Sequence, residues 1–133
     1  MEFDNSLYEK LKGMFGTLRD DDPQTAYQIA KESVSAKAYY EEKLAEAVKG
    51  ASELDYEADR IAANISNTQS PDNVSKGQRI ADASTDVLEA RKLHARMKWV
   101  VGQLQARVNF LESVHFTAKM VYENAAKNYR RGA

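Results

Sequence analysis

The sequence has no cysteine, only two prolines and only six glycines among its 133 residues. Without thiols there is no disulfide and no thiolate-bound metal, a pattern that fits a reducing compartment. Uninterrupted apolar runs stop at two or three residues, far short of the ~20 that cross a bilayer, so no membrane association is expected. The opening MEFDNSLYEK is acidic and lacks an apolar core, so no signal peptide is expected, and the cytoplasm is the expected location. A length of 133 residues predicts one domain.

Catalytic groups are equally scarce. The only imidazoles are those of His94 and His115, 21 residues apart on one helical stripe and so about 30 Å apart along a helix. One chain cannot bring both to a shared metal. Each is expected to be a hydrogen-bonded core histidine or part of a pH-sensitive layer between subunits. The two Glu-x-x-His motifs that a di-iron bundle needs are not both present, and KGQRI lacks the glycine spacing of a phosphate loop. The expectation is a protein that is not an enzyme, with no catalytic residues, no metal and no cofactor.

Net charge is −1, and it conceals a split. Residues 1–75 hold 8 Lys/Arg against 15 Asp/Glu, whereas residues 76–133 hold 11 against 5. Either an acidic helix packs beside a basic one, or the basic half offers a face to an anionic partner.

What the sequence does hold is helix. DDDPQ is a start signal, with Asp22 as N-cap, Pro23 at the first helical position, and Asp20 and Asp21 at the positive end of the dipole. The pattern predicts a short helix over about 4–16 and a long one over about 23–65. A turn is predicted at 66–77, where SNTQSPDNVSKG gathers breakers, followed by a second long helix over about 78–129. On the first long helix the polar Lys37, Glu41 and Asp55 break the apolar stripe. The packing face is therefore expected to shift towards Ala38, Ala45, Leu54 and Ile61. On the second, apolar positions step by three and four without a slip from Ile80 to Tyr129, through Met97, Val101, Leu104, Val108 and Leu111. That is a coiled-coil seam. The predicted fold is all-α: a long antiparallel helical hairpin with a short N-terminal helix, coiled-coil-like and oligomeric.

Oligomerisation is expected because the second helix has more apolar surface than one partner covers. Leu93, Val100, Val114 and Val121 form a second stripe, and Trp99 and Phe110 lie outside both. The seam Met97–Val101–Leu104–Val108–Leu111 is assigned to contacts between copies in a homo-oligomer.

One feature points to a ligand. Arg91, Lys92, Arg96 and Lys98 fall within eight residues, Trp99 follows directly, and Arg107 lies two turns on. Lys92, Arg96, Trp99 and Gln103 share one side of a helix. Cations around an aromatic suit single-stranded nucleic acid, since phosphates meet the charges and a base stacks on the indole. The competing reading pairs these cations with the acidic helix and places Trp99 in the core.

DVLEARKLHARMKW (86–99), FLESV (110–114) and FTAKMV (116–121), closing a small cysteine-free helical protein, resemble the UvsY-like recombination mediators of tailed phages. The match covers roughly residues 80–122. The resemblance implies an oligomer that binds single-stranded DNA and helps load a recombinase, in the host cytoplasm. It assigns no individual DNA contacts; Arg91, Lys92, Arg96, Lys98, Trp99 and Arg107 come from the charge pattern alone. The alternative is a helical structural or interaction protein, an assembly adaptor or an inhibitor of a host defence complex, that binds a protein partner and no nucleic acid.

Overall fold

A computed structural model describes residues 2–132. Four helices follow one another: α1 (Ser6–Gly16), α2 (Pro23–Gln69), α3 (Val74–Asp82) and α4 (Thr85–Gly132), with no strand among the described residues. The chain divides into two compact units. One takes the residues up to Lys43 and those from Leu104 onward; the other is Leu44–Gln103. α2 and α4 contribute to both.

In the first unit, α2 starts as its sequence dictates. The Asp22 carboxylate accepts from the Thr25 amide at 3.1 Å and its carbonyl from Ala26 at 3.2 Å, ahead of Pro23. The bond to Thr25 holds the Asp22 carboxyl below its ordinary value. α2 and α4 run antiparallel, Tyr27 meeting Tyr122 and Lys37 reaching Glu112 at 3.9 Å. Between them Ala26, Ile29, Ser33, Ala36 and Tyr40 of α2 face Leu104, Val108, Leu111, Val114 and Ala118 of α4, all buried. Small residues on α2 let the helices approach closely, and α4 supplies the bulk.

The packing face of α2 therefore differs from the expected one. Ala38 is exposed, whereas Ala36 and Tyr40 are buried. Two positions turn about 200° round a helix, so with Ala36 and Tyr40 inside Ala38 faces out, and Lys37 and Glu41 lie at the edge, where they pair at 3.5 Å. His115 is hydrogen-bonded but only half-buried, at the edge of this core rather than inside it. Its Nδ1 lies 2.7 Å from the Ala30 carbonyl and 3.4 Å from Ser33 Oγ. A carbonyl only accepts, so Nδ1 carries the proton.

α1 caps this unit. Leu11 is fully buried, and edge-to-face contacts link Tyr8 to Tyr40, Tyr8 to Phe110 and Phe15 to Phe110. Phe110 and Val114, counted above as surplus for a second copy, are thus covered from within the chain. The same holds for Leu104, Val108 and Leu111. These three residues of the seam assigned to contacts between copies are here the chain's own core, packed by α1 and α2, whereas Met97 and Val101 of the same seam are half-buried.

In the second unit, Met97 lies over Gly50, His94 Nδ1 stands 3.9 Å from Asp55 and Arg91 stands 3.8 Å from Asp59. Ala47, Ala51, Ala58, Ala81 and Val87 are buried, and Leu54, Ile61 and Val101 are half-buried, while Ala45 is exposed. The turn is shorter than the breaker-rich stretch suggests. α2 continues to Gln69 and only residues 70–73 are non-helical, around Pro71, before Asn73 caps α3 by accepting from the Lys76 amide at 3.0 Å. A proline disfavours helix at the residue before it, which places the stop at Ser70. The helix expected over 78–129 is two helices, interrupted at residues 83–84. The three-four spacing of Ile80, Ala83 and Val87 runs across this break, so periodicity alone does not reveal it. α3 instead buries Gly77 and Ala81.

Candidate nucleic-acid interface

The basic cluster occupies the outward side of α4 in the second unit. This stretch, EARKLHARMKW, is built of strong helix formers, so its side chains project at fixed helical offsets. Arg91, Lys92, Arg96, Lys98 and Trp99 are all exposed, and the Trp99 indole retains 67% of its surface. A core position for Trp99 is therefore not what the fold adopts. The reason is angular: the α2-facing stripe of α4 passes through His94, Met97 and Val101 and leaves Trp99 pointing away.

The cations differ in their attachments. Arg91 reaches across to Asp59 on α2, and Lys92 pairs with Glu89 one turn back at 3.4 Å. Both are exposed surface pairs, worth between about 0 and 1 kcal/mol, and so are readily exchanged for a phosphate. Arg96 and Lys98 have no carboxylate partner among the described residues. The acidic helix thus engages one of these four cations directly. Within α2, Glu57 is taken by Arg60 in a two-pronged contact of 2.6 and 3.0 Å, which lowers the Glu57 carboxyl and raises the Arg60 guanidinium.

Arg107 is not part of this exposed face. It belongs to the first unit and turns inward, its guanidinium carbon 5.1 Å from the Tyr8 ring, 5.2 Å from Phe3 and 5.5 Å from Tyr40. It donates to the Asn5 side-chain oxygen, which also accepts from the Tyr40 hydroxyl at 2.6 Å. Asp4 completes the contact: its amide donates to the Tyr39 hydroxyl at 2.8 Å, and its carbonyl accepts from Tyr40. Burial pushes the Tyr40 phenol above its ordinary value despite the Arg107 charge beside it. Arg107 is a pin that holds the N-terminal residues to the core. Sequence spacing cannot show this, because its partners Phe3, Asn5, Tyr8 and Tyr40 are all far from it along the chain.

Two apolar side chains join the basic face that the charge pattern did not select. Leu88 and Leu93 are 48% and 49% exposed, on either side of Arg91 and Lys92. For Leu93 the signal in the sequence was the second stripe, read there as surface for a second copy; Leu88 lay outside both stripes. Among the described residues no group of three or more His, Asp or Glu side chains is arranged to hold a metal ion, and no helix is long and apolar enough to cross a membrane. Compared with protein-family models, curated proteins and solved structures, the chain matches none of them.

Proposed function

We propose that this chain is a non-enzymatic, self-associating protein that binds single-stranded DNA and assists the loading of a recombinase. The observation that carries the reading is the exposed Trp99 beside two cations, Arg96 and Lys98, that lack carboxylate partners. Lys92 and Arg96 lie about two turns and one turn before Trp99 on the same side, so a strand laid along α4 meets phosphate sites and a stacking platform in succession. With a net charge of −1 a single chain binds weakly. Self-association multiplies identical faces, and linked weak sites give strong overall binding. The recombinase-loading role rests on the resemblance to UvsY-like mediators.

The test is a titration of a labelled oligonucleotide of about forty nucleotides, read by anisotropy at several salt concentrations. For single strands the logarithmic slope is about −0.7 per phosphate neutralised. Replacing Lys92, Arg96 and Lys98 by Ala should weaken binding at least tenfold for every base sequence and flatten that slope. An unchanged affinity and slope would move the site elsewhere; no binding by the wild type at low salt would end the DNA reading. The second reading, a protein-binding helix face, is favoured by Leu88 and Leu93. It predicts that Leu88→Ala and Leu93→Ala abolish partner capture while oligonucleotides are ignored.

A further inference from the structure

The second unit holds a cavity of about 300 Å³ where the end of α2, α3 and the start of α4 meet. α3 sits directly on α2 there. A Cβ on Gly77 would come within 2.9 Å of the Ser66 carbonyl oxygen, and the Asn73 cap on the Lys76 amide fixes the first turn of α3. Asn67 and Gln78, the residues next after Ser66 and Gly77, are therefore held at the cavity by a close backbone contact and not by a loop. Ala62, Val74 and Ala81 give the cavity apolar walls, and Val74 is 72% exposed. Asp59, Asp82 and Arg91 add charge.

The polar side chains here are uncommitted. Asn67, Gln78 and Asp82 make no hydrogen bond or ion pair among the described residues, and Asp59 is met by Arg91 only at 3.8 Å. Two amides, each donor and acceptor, and two carboxylates that only accept thus line one space with a guanidinium that only donates. Such a set repels phosphate, since two negative charges stand against one positive. It suits a flat, neutral group with an apolar face and amino hydrogens on its edge. A nucleobase has that form. Side-chain amides pair with the N6/N7 edge of adenine, and carboxylates accept from the amino group of cytosine. In a single strand these edges are free. Thymine has no amino group to give.

We propose that this cavity receives one base of a bound single strand and favours adenine and cytosine over thymine. The assignment rests on the DNA-binding reading of the α4 face. Arg91 belongs to both surfaces: it lines the cavity and lies eight positions before Trp99, about 12 Å along α4 and about 80° round it. That distance is about three to four nucleotides of a stacked strand. Phosphates stay on Lys92, Arg96 and Lys98, and one base stacks on Trp99. Another base, a few nucleotides along, turns into the cavity and meets Asn67 and Gln78 with its edge. The α4 face then supplies affinity whatever the sequence, and the cavity supplies base preference.

Competition binding tests it. A labelled oligothymidylate of about forty nucleotides is displaced by unlabelled oligothymidylate, or by strands of the same length with dA or dC at every fourth position. The wild type should bind the substituted strands about fivefold tighter or more. Asn67→Ala combined with Gln78→Ala, both at exposed helical positions, should remove that preference and leave affinity for oligothymidylate within about twofold. Circular dichroism checks that the variant keeps its helix. Free dAMP and dCMP should compete poorly, since the phosphates and Trp99 hold the strand; competition as strong as the strand's would make a free nucleotide the occupant and overturn the strand assignment. A wild type that binds all strands equally would overturn the base site and leave DNA binding standing. A preference that survives in the folded double variant would place base reading elsewhere and overturn it too. A wild type that binds no strand at low salt would overturn both readings.

Discussion

Arg107 shows how far one residue's role depends on partners that the local sequence does not reveal. Its charge places it beside the basic cluster in any linear reading, yet its guanidinium is spent on three aromatic rings and Asn5. Arg107→Ala should therefore cost about 1–3 kcal/mol of stability in urea denaturation, from lost cation–π contacts and a charged hydrogen bond. It should leave oligonucleotide affinity within twofold of the wild type. A loss of affinity at unchanged stability would return Arg107 to the DNA face. Gly77 is the second residue whose identity is dictated by a neighbour. A Cβ there would strike Ser66 Oγ and come within 2.9 Å of the Ser66 carbonyl oxygen. The hydroxyl can rotate away, but the backbone oxygen cannot. Gly77→Ala should cost about 1–3 kcal/mol, as overpacking does elsewhere, and Ser66→Ala should rescue it only in part. Full rescue would mean that the hydroxyl alone forms the barrier.

The helices themselves were largely legible in the sequence. DDDPQ marks the start of α2 because each of its signals acts within one turn, and the Asp22–Thr25 bond realises them. The three-four stripe of α4 is likewise a local property of one helix. The packing partner was not legible. Met97, Val101, Leu104, Val108 and Leu111 read as a seam for another copy because periodicity shows that a face is buried without showing what buries it. α1 has only Leu11 fully buried, yet its aromatic contacts cover the surplus that argued for a second chain. The break at 83–84 was hidden because the stripe runs through it in step. The exposure of Trp99 needed the phase of the whole helix. Leu104→Glu tests the seam at this scale. A carboxylate placed at a fully buried position between α1, α2 and α4 costs several kcal/mol, so the chain should unfold. A folded monomer with wild-type melting would show that Leu104 faces a partner after all.

For the molecule as a whole, the charge split is the property that joins fold to function. Residues 1–75 carry the acid and residues 76–133 the base, but the acidic helix neutralises little of the cluster on α4. Arg91 alone of the four cluster cations crosses to α2, and the remaining positive charge surrounds an exposed indole. The most direct test uses the chain's own probe. Trp99 is the only tryptophan, so its emission reports on this site and no other. Titrating unlabelled oligothymidylate of about forty nucleotides at low salt should quench Trp99 fluorescence saturably, as a base stacks on the indole, and added salt should restore it as phosphate contacts are lost. Emission that stays unchanged in intensity and wavelength, at oligonucleotide concentrations well above those of the protein, would contradict the account.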